Sequence, residues 1–313
     1  MEYLLLVVGF VLLVKGADFF VDGSSGVAKL FKVPTFIIGM TIVAMGTSLP
    51  ETSVSITAAV NHNTGVALGN AVGSNIFNLM IVLGFCALFT ALPIEKKTLE
   101  KEYPFSVLVA LVLAVLGVIM MTLGHLDGII LLLIFVFFIV WMVKSALKAR
   151  AEGVVKDSEE DDDKVKPIWL LLIFIIGGIA AIAIGGKLVV SSASKIAINF
   201  GMSDNLVGLT IVAFGTSLPE LVTSAIAAKK KQVDMAIGNV IGSNIYNILL
   251  VLGISAAISP MRVSMENIID IVVLVVFSVI VWIFCWSKKK IARLEGIIMI
   301  VLYAAYCAYI FNR

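Results

Sequence analysis

Two glutamates set in apolar surroundings carry the chemistry of this sequence: Glu51 and Glu220, each closing the same hexapeptide, Gly-Thr-Ser-Leu-Pro-Glu. An ionisable side chain at the centre of a bilayer costs roughly 2.5–3.5 kcal/mol on insertion scales. Two carboxylates sharing one site also repel. A bound cation resolves both penalties, two glutamates balancing one divalent ion or two monovalent ones. The neighbours fit that role. Pro50 and Pro219 lack an N–H, and Gly46 and Gly215 loosen the helix one turn earlier. The interrupted ladder frees carbonyl oxygens of Ala44, Thr47, Ala213 and Thr216, and Thr47, Ser48, Thr216 and Ser217 add hydroxyls. A second motif sets Ser74 four residues before Asn78 and Ser243 four before Asn247, so each pair shares a helix face. An all-oxygen set without His or Cys suits sodium, calcium or magnesium and disfavours zinc and copper.

Both motifs occur twice. GMTIVAMGTSLPE, from Gly39 to Glu51, returns as GLTIVAFGTSLPE from Gly208 to Glu220. GNAVGSNIFN, from Gly69 to Asn78, returns as GNVIGSNIYN from Gly238 to Asn247. The offset is 169 residues in both cases, so the chain is an internal duplication.

The elements that position these residues are membrane helices. Of the 313 residues 60% are hydrophobic and 14% charged, with mean hydropathy +1.10, which excludes an ordinary soluble domain. Long non-alternating apolar runs in lipid must be helices. Ten spans are expected, near 3–22, 36–60, 66–90, 104–123, 126–143, 168–190, 205–228, 235–257, 268–286 and 294–311. Residues 1–20 read as the first of them and not as a signal peptide, because Glu2 stands where a basic region belongs. With the N-terminus outside, eighteen Lys and Arg fall on inner loops against three outside, Lys195, Arg262 and Arg313. That asymmetry predicts both termini outside. Five crossings separate equivalent positions, so the second copy is inverted relative to the first. The expected fold is an all-α polytopic membrane protein of two inverted five-helix repeats, 1–143 and 168–313, joined by a cytoplasmic linker 144–167. Folds of this kind bind substrate near the midplane at the repeat interface. The acidic run 158–163 reads as part of a solvated connection.

Plainer roles are expected elsewhere. Cys86, Cys285 and Cys307 have no metal or redox spacing and read as packing residues. His62 and His125 fall in outer loops and the tryptophans near span ends. Lys15, Asp18, Asp22 and Lys187 read as snorkelling or paired, and Gly69, Gly73, Gly238 and Gly242 as close-packing contacts. Asn70, Asn75, Asn239 and Asn244 divide between interhelical hydrogen bonds and support of the site. A channel would use the same glutamates as a ring around a symmetric pore, which two antiparallel halves do not supply. An intramembrane enzyme has no His within a span to work with.

The four motif copies, in this order and spacing, resemble the alpha repeats of the calcium/cation antiporter superfamily, and within it the prokaryotic sodium/calcium exchanger branch. The resemblance covers all ten spans. It implies a sodium-driven calcium antiporter working by alternating access in a prokaryotic plasma membrane. The transported ions are calcium and sodium; no cofactor, nucleic acid or obligatory protein partner is expected. Carried over, Glu51 and Glu220 are shared carboxylate ligands, and Thr47 and Thr216 give carbonyl oxygen to calcium. Ala44, Ser48, Ser74, Ala213, Ser217 and Ser243 line flanking sodium sites, and Asn78 matches the family. Position 247 departs from it: members of the branch carry Asp where this chain has Asn247. Two core carboxylates in place of three leave open the stoichiometry and the counter-ion, with proton, potassium or lithium coupling as the alternatives.

Overall fold

The computed structural model describes residues 1–154, 166–202, 211 and 213–312. The acidic run 158–163 and residues 208–210 and 212 of the second-copy motif lie outside the described residues. The first-copy elements are α1 Glu2–Phe31, α2 Thr35–Ile38, α3 Ala44–Thr47, α4 Leu49–Val60, α5 Thr64–Phe77, α6 Leu83–Phe89, β1 Leu92–Pro93, α7 Tyr103–Met120, β2 Thr122–Leu123 and α8 His125–Ala151. Next come α9 Ile168–Asn199, α10 Ala213–Gly215, α11 Leu218–Lys229, α12 Val233–Tyr246, α13 Gly253–Ile258, β3 Met261–Arg262, α14 Met265–Lys288, β4 Lys290–Ile291 and α15 Arg293–Asn312. Among the described residues the π-helical stretches Gly39–Val43, Asn78–Val82, Thr98–Glu102 and Asn247–Leu252 are set into these helices. Among the described residues eight helices are long and apolar enough to cross a membrane, and Thr35–Thr47 with Leu49–Val60 makes a ninth if counted as one broken span. The chain is a helical multi-pass integral membrane protein.

Several helices outrun the apolar stretches that announced them. α1 continues to Phe31, past the expected end at 22, and α9 to Asn199, past 190. Hydropathy reports the bilayer, whereas a helix ends where its hydrogen-bond ladder is stopped. For α1 the stop is Lys32, in a left-handed conformation (φ 55°), followed by Val33 and Pro34.

Packing divides the described chain into two compact units, each drawing on both copies of the repeat. One comprises Met1–Thr47 and Phe138–Asn239, the other Ser48–Phe137 and Val240–Arg313. In the first, α1 lies along α9 with backbones in near contact. A Cβ on Gly16 would come within 3.0 Å of Gly178 O, and one on Gly178 within 2.8 Å of Gly16 O. Close approach of this kind is how membrane helices gain packing energy without a hydrophobic driving force. Gly39 and Gly238 do the same for α12, a Cβ on Gly39 meeting Met235 O at 2.5 Å. Gly69 and Gly73, expected to be similar, have no such contact among the described residues.

The second unit is built on α5 and its continuation, the C-terminal half of α12, α14 and α15. Two short antiparallel ladders fasten its edges, β1 with β4 and β2 with β3. Shifted by the 169-residue repeat, β1 falls on β3, and β4 falls within one residue of β2. Each copy thus lends a strand to the other at both edges.

Candidate ion-binding residues

The Thr-Ser-Leu-Pro-Glu segments interrupt their helices in the same way. α3 stops at Thr47, Ser48 takes φ −82°, ψ 8°, and α4 starts with Pro50 in its first turn and Glu51 at the third position. In the second copy Ser217 takes φ −93°, ψ 5°, and α11 starts with Pro219 and Glu220 at the same positions. A proline is tolerated here because first-turn N–H groups have no intrahelical acceptor anyway. A carboxylate in the first turn also lies at the positive end of the helix dipole, which lowers the penalty of burying it. Glu51 and Glu220 are both 0% exposed.

In the first unit, Thr47 Oγ1 donates to Asn239 Oδ1 at 3.1 Å, with Val43 O and Ala44 O also in reach at 3.2 and 3.3 Å. Asn239 Nδ2 in turn donates to Ser224 Oγ at 2.9 Å. Ser224 stands four residues after Glu220, on the same face of α11. Asn239 therefore holds the end of α3, with its Thr47 carbonyl, against the helix that carries Glu220. Thr223 Oγ1 is buried there without a hydrogen-bond partner among the described residues. Ala44 and Ser217 are buried, and Thr216 is half-buried.

The second unit repeats the arrangement. Asn70 Nδ2 donates to Ser55 Oγ at 2.9 Å and to Glu51 O at 3.3 Å, pinning α5 to the Glu51 helix. Ser48, Ser74, Asn78, Ser243 and Asn247 are all buried in this unit. Asn75 and Asn244 clasp one another reciprocally, each Nδ2 donating to the other's backbone carbonyl at 3.1 and 3.3 Å. Asn247 Nδ2 donates to Asn75 Oδ1 at 3.0 Å. At Asn78 and again at Asn247 the helix widens into a π turn, a local change that favours functional positions because it displaces backbone groups from the regular ladder. Asn78 Nδ2 and Oδ1, Ser243 Oγ, Asn244 Oδ1 and Asn247 Oδ1 are buried without a hydrogen-bond partner among the described residues. An unsatisfied buried polar group costs about 1–3 kcal/mol. Most of these atoms are hard oxygens, the donor type sodium and calcium require. Among the described residues no group of three or more His, Cys, Asp or Glu converges to hold a metal.

Some of this was not read from the sequence. Ser55 and Ser224 were overlooked, although both stand four residues after a repeated glutamate and extend the duplication beyond it. The π turns leave no mark in residue type. Asp270, buried on α14 and accepting from Tyr306 Oη at 3.0 Å, is a carboxylate in an apolar run outside both motifs. The two histidines are exposed, as residues of outer loops should be, and both also reach one short segment: His62 Nδ1 is 3.2 Å from Ser259 Oγ, and His125 Nδ1 2.9 Å from Ala257 O.

The sequence model of the family described as sodium/calcium exchanger protein matches residues 1–144 and 170–312. An uncharacterized membrane protein of Methanocaldococcus jannaschii is 38% identical over 296 residues, covering 94% of this chain and 93% of its own. The sodium/calcium exchanger MaX1 of Methanosarcina acetivorans is 32% identical over 348 residues, covering 99% and 98%. Among solved structures, the sodium-calcium exchanger NCX_Mj soaked with zero Na+ and Ca2+ superposes with a TM-score of 0.86 at 35% identity, covering 99% of this chain and 98% of that one.

Proposed function

The chain belongs to the sodium/calcium exchanger protein family, and on that premise we propose that it is a secondary antiporter that moves calcium against sodium by alternating access. Ten spans in two inverted repeats, 1–143 and 168–313 around the linker 144–167, with both termini outside a prokaryotic plasma membrane, are part of the same reading.

In this reading Glu51 and Glu220 are the carboxylates that neutralise the ion. Thr47 and Thr216 offer backbone oxygen to calcium, and Ala44, Ser48, Ser74, Ala213, Ser217 and Ser243, with Asn78 and Asn247, complete the sodium and calcium ligands. One observation carries it: two glutamates, 169 residues apart, each 0% exposed and each at the third position of a helix that restarts inside an apolar span. A buried carboxylate is a poor packing residue and a good cation ligand. Coupling follows from competition. Both ions need the same two charges, and the empty, doubly negative site crosses poorly.

The test is uptake of labelled calcium by proteoliposomes loaded with sodium and diluted into sodium-free buffer, with E51Q and E220Q alongside. Uptake that follows the sodium gradient and disappears in both variants is expected. Uptake that follows a proton gradient and ignores sodium would replace sodium with protons as counter-ion, and uptake unchanged in both variants would overturn the site.

A further inference from the structure

The two strand ladders are copies of one device, yet they carry opposite charge. At one edge of the second unit, β1 and β4 bring together segments 95–102 and 288–295. These hold seven cations, Lys96, Lys97, Lys101, Lys288, Lys289, Lys290 and Arg293, against four carboxylates, a net charge of +3. The segments one repeat away, 264–271 and 119–126, hold Glu266 and Asp270 and no Lys or Arg, a net charge of −2. The ladder therefore does not need the cations in order to form.

The basic edge is organised, not merely rich in lysine. Leu92, Ile94 and Ile291 are buried beneath it, and Ile94 N donates to Lys289 O at 2.9 Å, extending the ladder. Two of the carboxylates are sunk under the surface. Glu102 holds Lys97 at 3.2 Å and Glu295 holds Lys288 at 3.0 Å, while Lys96 pairs with exposed Glu100 at 3.6 Å. Lys101, Lys289, Lys290 and Arg293 stay exposed, with no carboxylate within 4.0 Å among the described residues. A few residues before β4 and β1 stand large exposed apolar side chains, Trp286 (49%) near the end of α14 and Phe89 (75%) at the end of α6. Cations above an aromatic fringe match a phosphate headgroup above its acyl chains.

We propose that this edge is a binding surface for anionic phospholipid, whose phosphate is held by Lys101, Lys289, Lys290 and Arg293 while Trp286 contacts the chain region. The four cations act together because the ladder fixes two loops that are nearly two hundred residues apart in sequence. Each cation close to an anionic surface is worth roughly a fivefold preference at low salt.

The test uses the full chain with W141F, W169F and W282F, leaving Trp286 as the one tryptophan. It is reconstituted in phosphatidylcholine vesicles containing brominated phosphatidylglycerol or brominated phosphatidylcholine as quencher. Phosphatidylglycerol should quench Trp286 at a relative association constant at least about fivefold higher. The preference should fall toward one in high salt, and in the variant K101Q/K289Q/K290Q/R293Q. The control K29Q/K32Q, on the other unit, should keep it. Equal quenching by both lipids in the unsubstituted surface, or a preference that survives both high salt and the fourfold variant, would overturn the proposal. The salt arm needs no variant, so misfolding of the substituted protein cannot rescue it.

Discussion

Asn75 to Asn78 and Asn244 to Asn247 are the same sequence motif read twice, and their backbones agree closely. Each clasps the other through an asparagine, and each opens a π turn at its last residue. Their side chains do not agree. Asn247 gives its amide to Asn75 Oδ1. Asn78 makes no equivalent bond, and Asn244 Oδ1, the acceptor it would have used, is also without a partner among the described residues. Duplication therefore reproduces the scaffold and leaves the ligand positions free to differ. Asn247 is oriented with its oxygen as the free end, whereas Asn78 is not committed in either direction.

The largest expected effect tests where the copies should still be equal. E51Q and E220Q remove the same charge from equivalent, fully buried positions. Loss of one partner of a buried charged interaction is worth about 3–5 kcal/mol, so sodium-driven calcium uptake should fall at least about a hundredfold in both. A variant that keeps near-normal uptake while its mate is dead would show that only one copy carries the ion.

The next effect should separate the copies. In N247D an ionised carboxylate sets oxygen against Asn75 Oδ1, and Asn75 cannot turn round because its Nδ2 is donated to Asn244 O. N78D meets no such acceptor. In ion-free detergent N247D should be the less stable by about 1–3 kcal/mol, read as a lower thermal midpoint. Equal midpoints would mean that the asymmetry is not a property of the folded protein. A smaller effect follows from bond count. N75A removes one donor bond to Asn244 O and the acceptor for Asn247, whereas N244A removes one donor bond alone. N75A should cost about 1 kcal/mol more than N244A by the same measurement.

How much of this could be read in advance divides along the same line. The glutamates, the prolines and the duplication are residue identities at a fixed spacing, so the sequence displays them. A membrane span is a solvent requirement, and apolar length reports it. The reach of α1 to Phe31 was hidden because polarity at Asp18 and Asp22 looks like the end of a span. The bonds of Asn75, Asn70 and Asn239 were hidden because one amide can serve two roles, and only its neighbours choose. The π turns were hidden altogether, since no residue type demands them.

A difference outside the motifs gives the smallest and most pH-specific prediction. Lys230 Nζ lies 2.6 Å from Asp18 Oδ1 and 2.6 Å from Asp22 Oδ1, joining α1 to the turn after α11. The positions one repeat away are Lys187 for Asp18, Ser191 for Asp22 and Asn61 for Lys230, so this clamp belongs to one copy alone. Burial by itself would lower the Lys230 pKa, but the hydrogen bonds and charges of the two aspartates outweigh it and hold the ammonium above its ordinary value of about 10.5. A raised lysine pKa stabilises the fold below the unfolded value, and that stabilisation is lost as pH climbs through the folded one. The groups are part-exposed, so the whole contribution should stay below about 1 kcal/mol. The thermal midpoint of K230M should therefore lie slightly below that of the parent at neutral pH, and the gap should close only at strongly alkaline pH. K187M, which removes the cation standing at the Asp18 position of the other copy, should show no such closing gap. A K230M gap that is flat across the alkaline range would mean that the lysine stem, and not its charge, holds α1 in place.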